Sequence, residues 1–128
     1  MKDSTLAARS GICADTQHGA VMPPLHLSAN FGFEAFGKKR AYDYTRSGNP
    51  TRTAYETQIA ALEGATHGLA FASGLAAEDN ILRLFKAGDR VLLGNDAYGG
   101  TYRLISKVHT HMPWTAVDLL DVDALAAG

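Results

Sequence analysis

From Asn49 onward, short apolar runs alternate with amphipathic stretches, and glycine punctuates the changes. No other feature narrows the fold as far. Asn49 is a good helix N-cap, and Pro50 suits the first helical position, where its missing N–H costs nothing. Tyr55, Ile59 and Leu62 then recur on one helical face. Gly64 is placed to end this helix in a left-handed cap. The apolar run 68–72 reads as a buried strand. Ser73 and Gly74 open a second helix, with Ala77, Ile81, Leu84 and Phe85 along one side and Gly88 closing it. A second strand is expected at 91–93 and stops at Gly94 and Asn95. Leu104 and Val108 mark a third helix after Gly99 and Gly100. A third strand is expected at 114–119, and Asp121 is placed to cap a fourth helix. Apolar strands alternating with amphipathic helices imply an α/β fold whose parallel sheet is covered on both faces.

Residues 1–48 lack this periodicity. They hold Pro23-Pro24, the scattered aromatics Phe31, Phe33, Phe36, Tyr42 and Tyr44, and the basic run Lys38-Lys39-Arg40. We read an extended or irregular arm with at most one short helical turn. Its aromatics need a surface to pack on, so the arm is expected to lie on a partner. The chain thus divides into an arm, 1–48, and an α/β part, 49–128.

Composition excludes several functions. The 128 residues carry 12 Lys and Arg against 13 Asp and Glu, which leaves no electrostatic footprint for nucleic acid. A hydrophobic share of 46% is too high for a disordered chain. No apolar run approaches the roughly 20 residues of a membrane span, and the N-terminus has no secretory apolar core. The single Cys13 makes no internal disulfide and has no evident activating partner, so it reads as inert and the cytoplasm is the expected compartment. His18, His26 and His67 are isolated, and His109 and His111 splay apart on a helix, so no metal site is expected.

Ligands of parallel α/β sheets bind beyond the carboxyl ends of the strands. The first such junction is 72–75. There Gly74 and Leu75 open a helix, whose free N–H groups and positive dipole end favour a phosphate or carboxylate. Small residues at such a turn also serve purely steric ends. The second junction is 96–101. Tyr98 can offer a flat face to a planar ligand while Gly99 and Gly100 let the backbone turn; an ordinary loop with a half-buried tyrosine is the plainer reading. A third feature is the segment 42–52. Tyr44 and Arg46 alternate, so in an extended segment both point to one side, and a phenol beside a guanidinium suits a phosphate. Arg52 belongs to the first turn of the following helix, and a polar arm ending at a helix cap would look the same.

Three strings in this order, YDYTRSGNPTR, FASGLAA and NDAYGGTYR, resemble the Cys/Met-metabolism family of pyridoxal-phosphate enzymes. The resemblance runs over nearly the whole chain and is weakest after about residue 108. Within the family, QHGAVMPPLHLSANFGF is similar to the cystathionine γ-synthase branch, while LAFASGLAA looks equally like the γ-lyases.

The resemblance implies an aspartate-aminotransferase-like large domain, of which 49–128 would be the first part. It implies pyridoxal phosphate as cofactor. Gly74 and Leu75 would give backbone N–H groups to the phosphate. Tyr98 would stack on the pyridine ring and help handle protons. Tyr44 and Arg46 would bind the phosphate of a neighbouring subunit's cofactor, which implies a homodimer or homotetramer. The activity implied is γ-replacement on an O-acylated homoserine by cysteine, in transsulfuration and methionine biosynthesis. A γ-lyase or a sulfhydrylase is the alternative within the family, and a non-catalytic truncated remnant is the alternative of another class.

The chain departs from the family in one respect. The lysine that carries the cofactor, in a Ser-x-Thr-Lys context, lies beyond the position of Gly128, as do the Asp and Arg that meet the pyridine nitrogen and the substrate carboxylate. Lys2, Lys38, Lys39, Lys86 and Lys107 have no such context, and Lys86 and Lys107 read as solvated helical residues. The chain is therefore expected to be an N-terminal fragment and to be inactive alone.

Overall fold

The structure is a computed structural model and describes residues 2–9 and 15–121. Cys13 and the expected fourth helix lie outside the described residues. The chain forms two compact units, Met1–Ala70 and Phe71–Gly128.

In the first unit, the short helix α1 (Asp3–Ala8) packs on α2 (Pro50–Leu62). Asn49 caps α2 as expected, its side chain accepting from Thr51 N at 2.9 Å, and proline opens the helix. The arm doubles back on itself. Asn30 and Tyr44 form an antiparallel bridge, with Phe31 N donating to Asp43 O and Thr45 N to Ala29 O. Phe31 and Tyr42 put their ring centroids 5.7 Å apart, whereas Leu25, Leu27 and Phe36 stay exposed. Lys38 and Lys39 pair with Glu34 and Asp43 in a solvated turn.

The helical face read from Tyr55, Ile59 and Leu62 is not the buried one. Tyr55 and Ile59 are exposed, and Ala60 is buried instead. The reason is the segment after α2, which crosses back over it. A methyl group at Gly68 would sit 2.4 Å from the Glu56 carbonyl oxygen, so only glycine permits this approach. Ala65 N donates to Ala60 O, and Ala70 N to Glu56 Oε1 at 2.9 Å.

That last bond corrects the strand expected at 68–72. The segment forms no ladder; Leu69 and Phe71 are exposed. A strand needs a neighbour to pair its backbone groups, and no neighbour pairs with it among the described residues.

In the second unit, α3 (Gly74–Leu82) leads to β1 (Val91–Gly94), then α4 (Gly99–Arg103), a π-helical turn (Leu104–Val108) and β2 (Trp114–Val117). The strands are parallel, with Val91 opposite Trp114 and Gly94 opposite Val117. The segment 91–117 is thus one strand–helix–strand unit of the expected α/β kind. Leu82, Ile105 and Met112 form its core, covered by Val91, Leu93, Leu104 and Trp114. Tyr102 meets Trp114 edge to face at 5.4 Å. Helix α3 ends at Leu82, earlier than the apolar pattern implies, so Leu84 is exposed and Lys86 lies in a turn. Asp89 Oδ2 accepts from Lys86 N at 2.7 Å and competes with helical bonding there. Gly64 and Gly88 adopt positive φ, 64° and 97°; Gly64 stops α2 as expected, whereas Gly88 lies in the turn beyond α3, which has already ended at Leu82.

Candidate functional site

The N-terminus of α3 is built by Ser73. Its backbone is extended, and its hydroxyl accepts from Ala76 N at 3.2 Å while its carbonyl accepts from Ala77 N. This satisfies the third and fourth amides of the first turn. The N–H groups of Gly74 and Leu75 keep no partner among the described residues. Gly74 and Leu75 are exposed, and beyond the adjacent backbone no heavy atom lies within 4 Å of where a Gly74 side chain would start. The first turn holds no acidic residue to oppose an anion.

Tyr98 follows the carboxyl end of β1 and precedes α4. It is 71% exposed, with an extended backbone that lets Tyr102 N return to its carbonyl. One ring edge lies over Gly100: a methyl group there would stand 2.4 Å from Tyr98 Cε1. The second glycine of the pair thus makes room for the ring.

Both junctions belong to the second unit, and two side-chain bonds tie their elements together. Thr101 Oγ1 donates to Glu78 Oε2 at 2.7 Å. His109 Nε2 lies 2.7 Å from Asp79 Oδ1 and is buried, while Arg83 Nε donates to Asp79 Oδ2 at 2.9 Å. The His109 hydrogen bond, followed by that of Arg83, holds the Asp79 carboxyl below its ordinary range. Glu78, Asp79 and Arg83 are not singled out by the sequence, and His109 is read there only as no metal ligand. Only the Asp79–Arg83 spacing, one helical turn apart, was a visible signal.

Tyr44 and Arg46 lie in the first unit. The segment is a turn, not the extended strand from which their common direction was read. Asp43 makes the turn: its Oδ1 accepts from Tyr44 N at 2.8 Å and Ser47 Oγ at 2.9 Å, and the Ser47 hydroxyl followed by the Tyr44 N–H holds this carboxyl below its ordinary range. The two side chains still meet, because the Arg46 guanidinium carbon stands 5.1 Å from the Tyr44 ring centroid. Thr45 anchors the turn through its N–H to Ala29 O, its hydroxyl to Ser28 O and its carbonyl from Arg52. Asn49 adds donations to Thr45 Oγ1 at 2.7 Å and His26 O at 3.1 Å. The Arg46 side chain has no carboxylate partner among the described residues, which leaves an exposed cation beside a phenol.

A cavity of about 570 Å³ in the first unit, between Pro23, Pro24, His18 and Tyr55, is lined by neither Tyr44 nor Arg46. Among the described residues no group of three or more His, Cys, Asp or Glu is placed to hold a metal ion. None of the described helices is long and apolar enough to cross a membrane.

Comparison with known proteins places these features in a family. The description "Cys/Met metabolism PLP-dependent enzyme" matches residues 4–127. The cystathionine beta-lyase of Lactococcus lactis subsp. cremoris is 44% identical over 125 residues, which cover 96% of this chain and 33% of the relative. The crystal structure of cystathionine gamma synthase from Xanthomonas oryzae pv. oryzae, in complex with aminoacrylate and cysteine, superposes with a TM-score of 0.89 at 42% identity over 99% of this chain and 34% of that one. The cystathionine gamma-lyase of Lactobacillus plantarum, complexed with L-serine, gives 0.86 at 45% identity over 100% and 34%. The chain spans about a third of the length of these relatives. With the family matched along nearly its whole length and its fold shared with solved members, the chain belongs to the Cys/Met-metabolism family of pyridoxal-phosphate-dependent enzymes.

Proposed function

We propose that this chain supplies the N-terminal part of a pyridoxal-phosphate enzyme that performs γ-replacement on an O-acylated homoserine with cysteine. The observation that carries the reading is the pair of unpartnered amides at Gly74 and Leu75, beside an open surface and in one unit with the exposed Tyr98 ring. The residues present fit a group that joins a phosphate to a flat heteroaromatic ring. Similarity to lyases at 44% and 45% identity and to a synthase at 42% keeps the lyase branches as the second reading.

In this reading Gly74 and Leu75 donate N–H hydrogen bonds to the phosphate, helped by the positive end of α3. Tyr98 covers one ring face, and its phenol is placed to pass protons as substrate enters. Tyr44 and Arg46 add a phenol and a guanidinium to the phosphate of a second subunit, so the active form is a dimer or tetramer in the cytoplasm. When bound, pyridoxal phosphate supplies an electron sink for negative charge at the substrate Cα. The chain contains no Ser-x-Thr-Lys sequence, so the lysine of that chemistry is not one of its five. The functional division we propose is an arm, 1–48, that reaches a neighbour and a first part of the cofactor domain, 49–128. On this reading the 128 residues alone are inactive.

The test is Arg46→Ala in a polypeptide that carries the remaining two-thirds of the family's length. Its dissociation constant for pyridoxal phosphate should rise about tenfold, as expected for a lost charge-assisted contact. Unchanged cofactor retention would remove the arm from the site.

A further inference from the structure

Two successive residues of α3 grip opposite ends of the helical segment that begins after Tyr98. Glu78 accepts from Thr101, near the start of that segment. Asp79 holds His109, just past its end. Attachment at both ends limits sliding as well as rotation of the segment against α3. The Glu78 end is the one near the candidate site. Glu78 stands about one helical turn from Gly74, and Thr101 is in the first turn of α4, which Tyr98 caps. The bond therefore links the turn with the open amides to the turn with the exposed ring. Glu78 is half-buried, and no ion pair engages it among the described residues. A glutamate that served only to solvate the helix would face water or a lysine.

We propose that Glu78 and Thr101 form a positioning pair that sets the spacing between the amides of Gly74 and Leu75 and the ring of Tyr98. The proposal rests on the cofactor reading above. A ligand that carries both a phosphate and a ring gains from engaging two subsites only when they stand at the matching separation. Loss of the Glu78–Thr101 bond leaves each subsite intact and removes the gain from spanning both.

Inorganic phosphate, pyridoxine and pyridoxine 5′-phosphate separate these contributions, and none carries an aldehyde that would modify lysines. Each is titrated into the 128-residue chain, with the Gly74 and Leu75 amides and the Tyr98 ring followed by NMR. The unaltered chain should bind pyridoxine 5′-phosphate more tightly than either part. Glu78→Ala and Thr101→Val should each weaken the phosphate ester about tenfold, within the effect of a misplacement of about 1 Å, and leave phosphate and pyridoxine binding unchanged. The double variant should be no worse than either single one. Glu78→Gln and Thr101→Ser keep an acceptor and a hydroxyl and should restore binding. Unchanged binding of the ester by Glu78→Ala overturns the pair and leaves the cofactor reading standing. Equal loss of all three ligands assigns the bond to folding and overturns the positioning role. No preference for the ester in the unaltered chain overturns the positioning role.

Discussion

At Gly100 a single methyl group would meet the edge of the Tyr98 ring rather than backbone. The ring is exposed and can swing away, so the clash is relieved by moving the residue that matters to the site. Gly100→Ala should therefore change stability by no more than about 1 kcal/mol, the scale of the helix preference between these residues. It should shift the Tyr98 ring resonances, and unshifted resonances would contradict the packing. Asp79 makes the opposite kind of prediction. Its folded carboxyl is held below the ordinary 3.8 by His109 and Arg83, so ionised Asp79 favours the fold. That contribution is complete above the unfolded value and is lost as pH falls through the depressed folded value. Asp79→Asn should lower the urea midpoint at pH 7, and the gap from the parent should close as pH drops below 3.8. A gap that persists undiminished in acid would place the Asp79 contribution in packing rather than charge.

The elements differ in how much of them local chemistry dictates. Helix α2 begins where Asn49 and Pro50 require, because the cap satisfies an amide two residues away. The same asparagine then reaches two segments that no local pattern announces, at His26 and Thr45. Asn49→Ala should cost about 1–2 kcal/mol, the upper range for a lost cap. Asn49→Asp keeps the acceptor for Thr51 and should cost less in thermal unfolding; equal losses would show that the cap itself contributes nothing. The run 68–72 shows the limit of such reading. Its composition suits a strand, but a ladder needs a neighbour, and the Glu56 side chain takes the Ala70 amide instead. The π-helical turn at 104–108 was equally invisible, since nothing in the apolar spacing separates it from α-helix.

For the molecule as a whole, two compact units each bury little. The described core of the second is Leu82, Ile105 and Met112, and no other strand among the described residues pairs with the outer edges of its two-stranded sheet. Leu25, Leu27, Phe36, Leu69 and Leu84 are exposed. Isolated edges and bare apolar side chains favour association with other chains. Sedimentation velocity over rising concentration should show the 128-residue chain self-associating. A monodisperse monomer that unfolds cooperatively would contradict this.

The sequence by itself determined the helix caps at Asn49 and Ser73, the stop at Gly64, the parallel strand–helix–strand order and the family. Each of the structural signals acts within a few residues, or repeats with the period of its element, so it survives without knowledge of what lies nearby in space. Tertiary structure alone decided that Ala60 rather than Tyr55 is buried, that Gly68 lies against α2, and that Glu78 meets Thr101 and Asp79 meets His109. Those partners are 23 and 30 residues apart. Their meeting depends on how whole elements pack, and packing sums many small apolar contacts that no short stretch of sequence records.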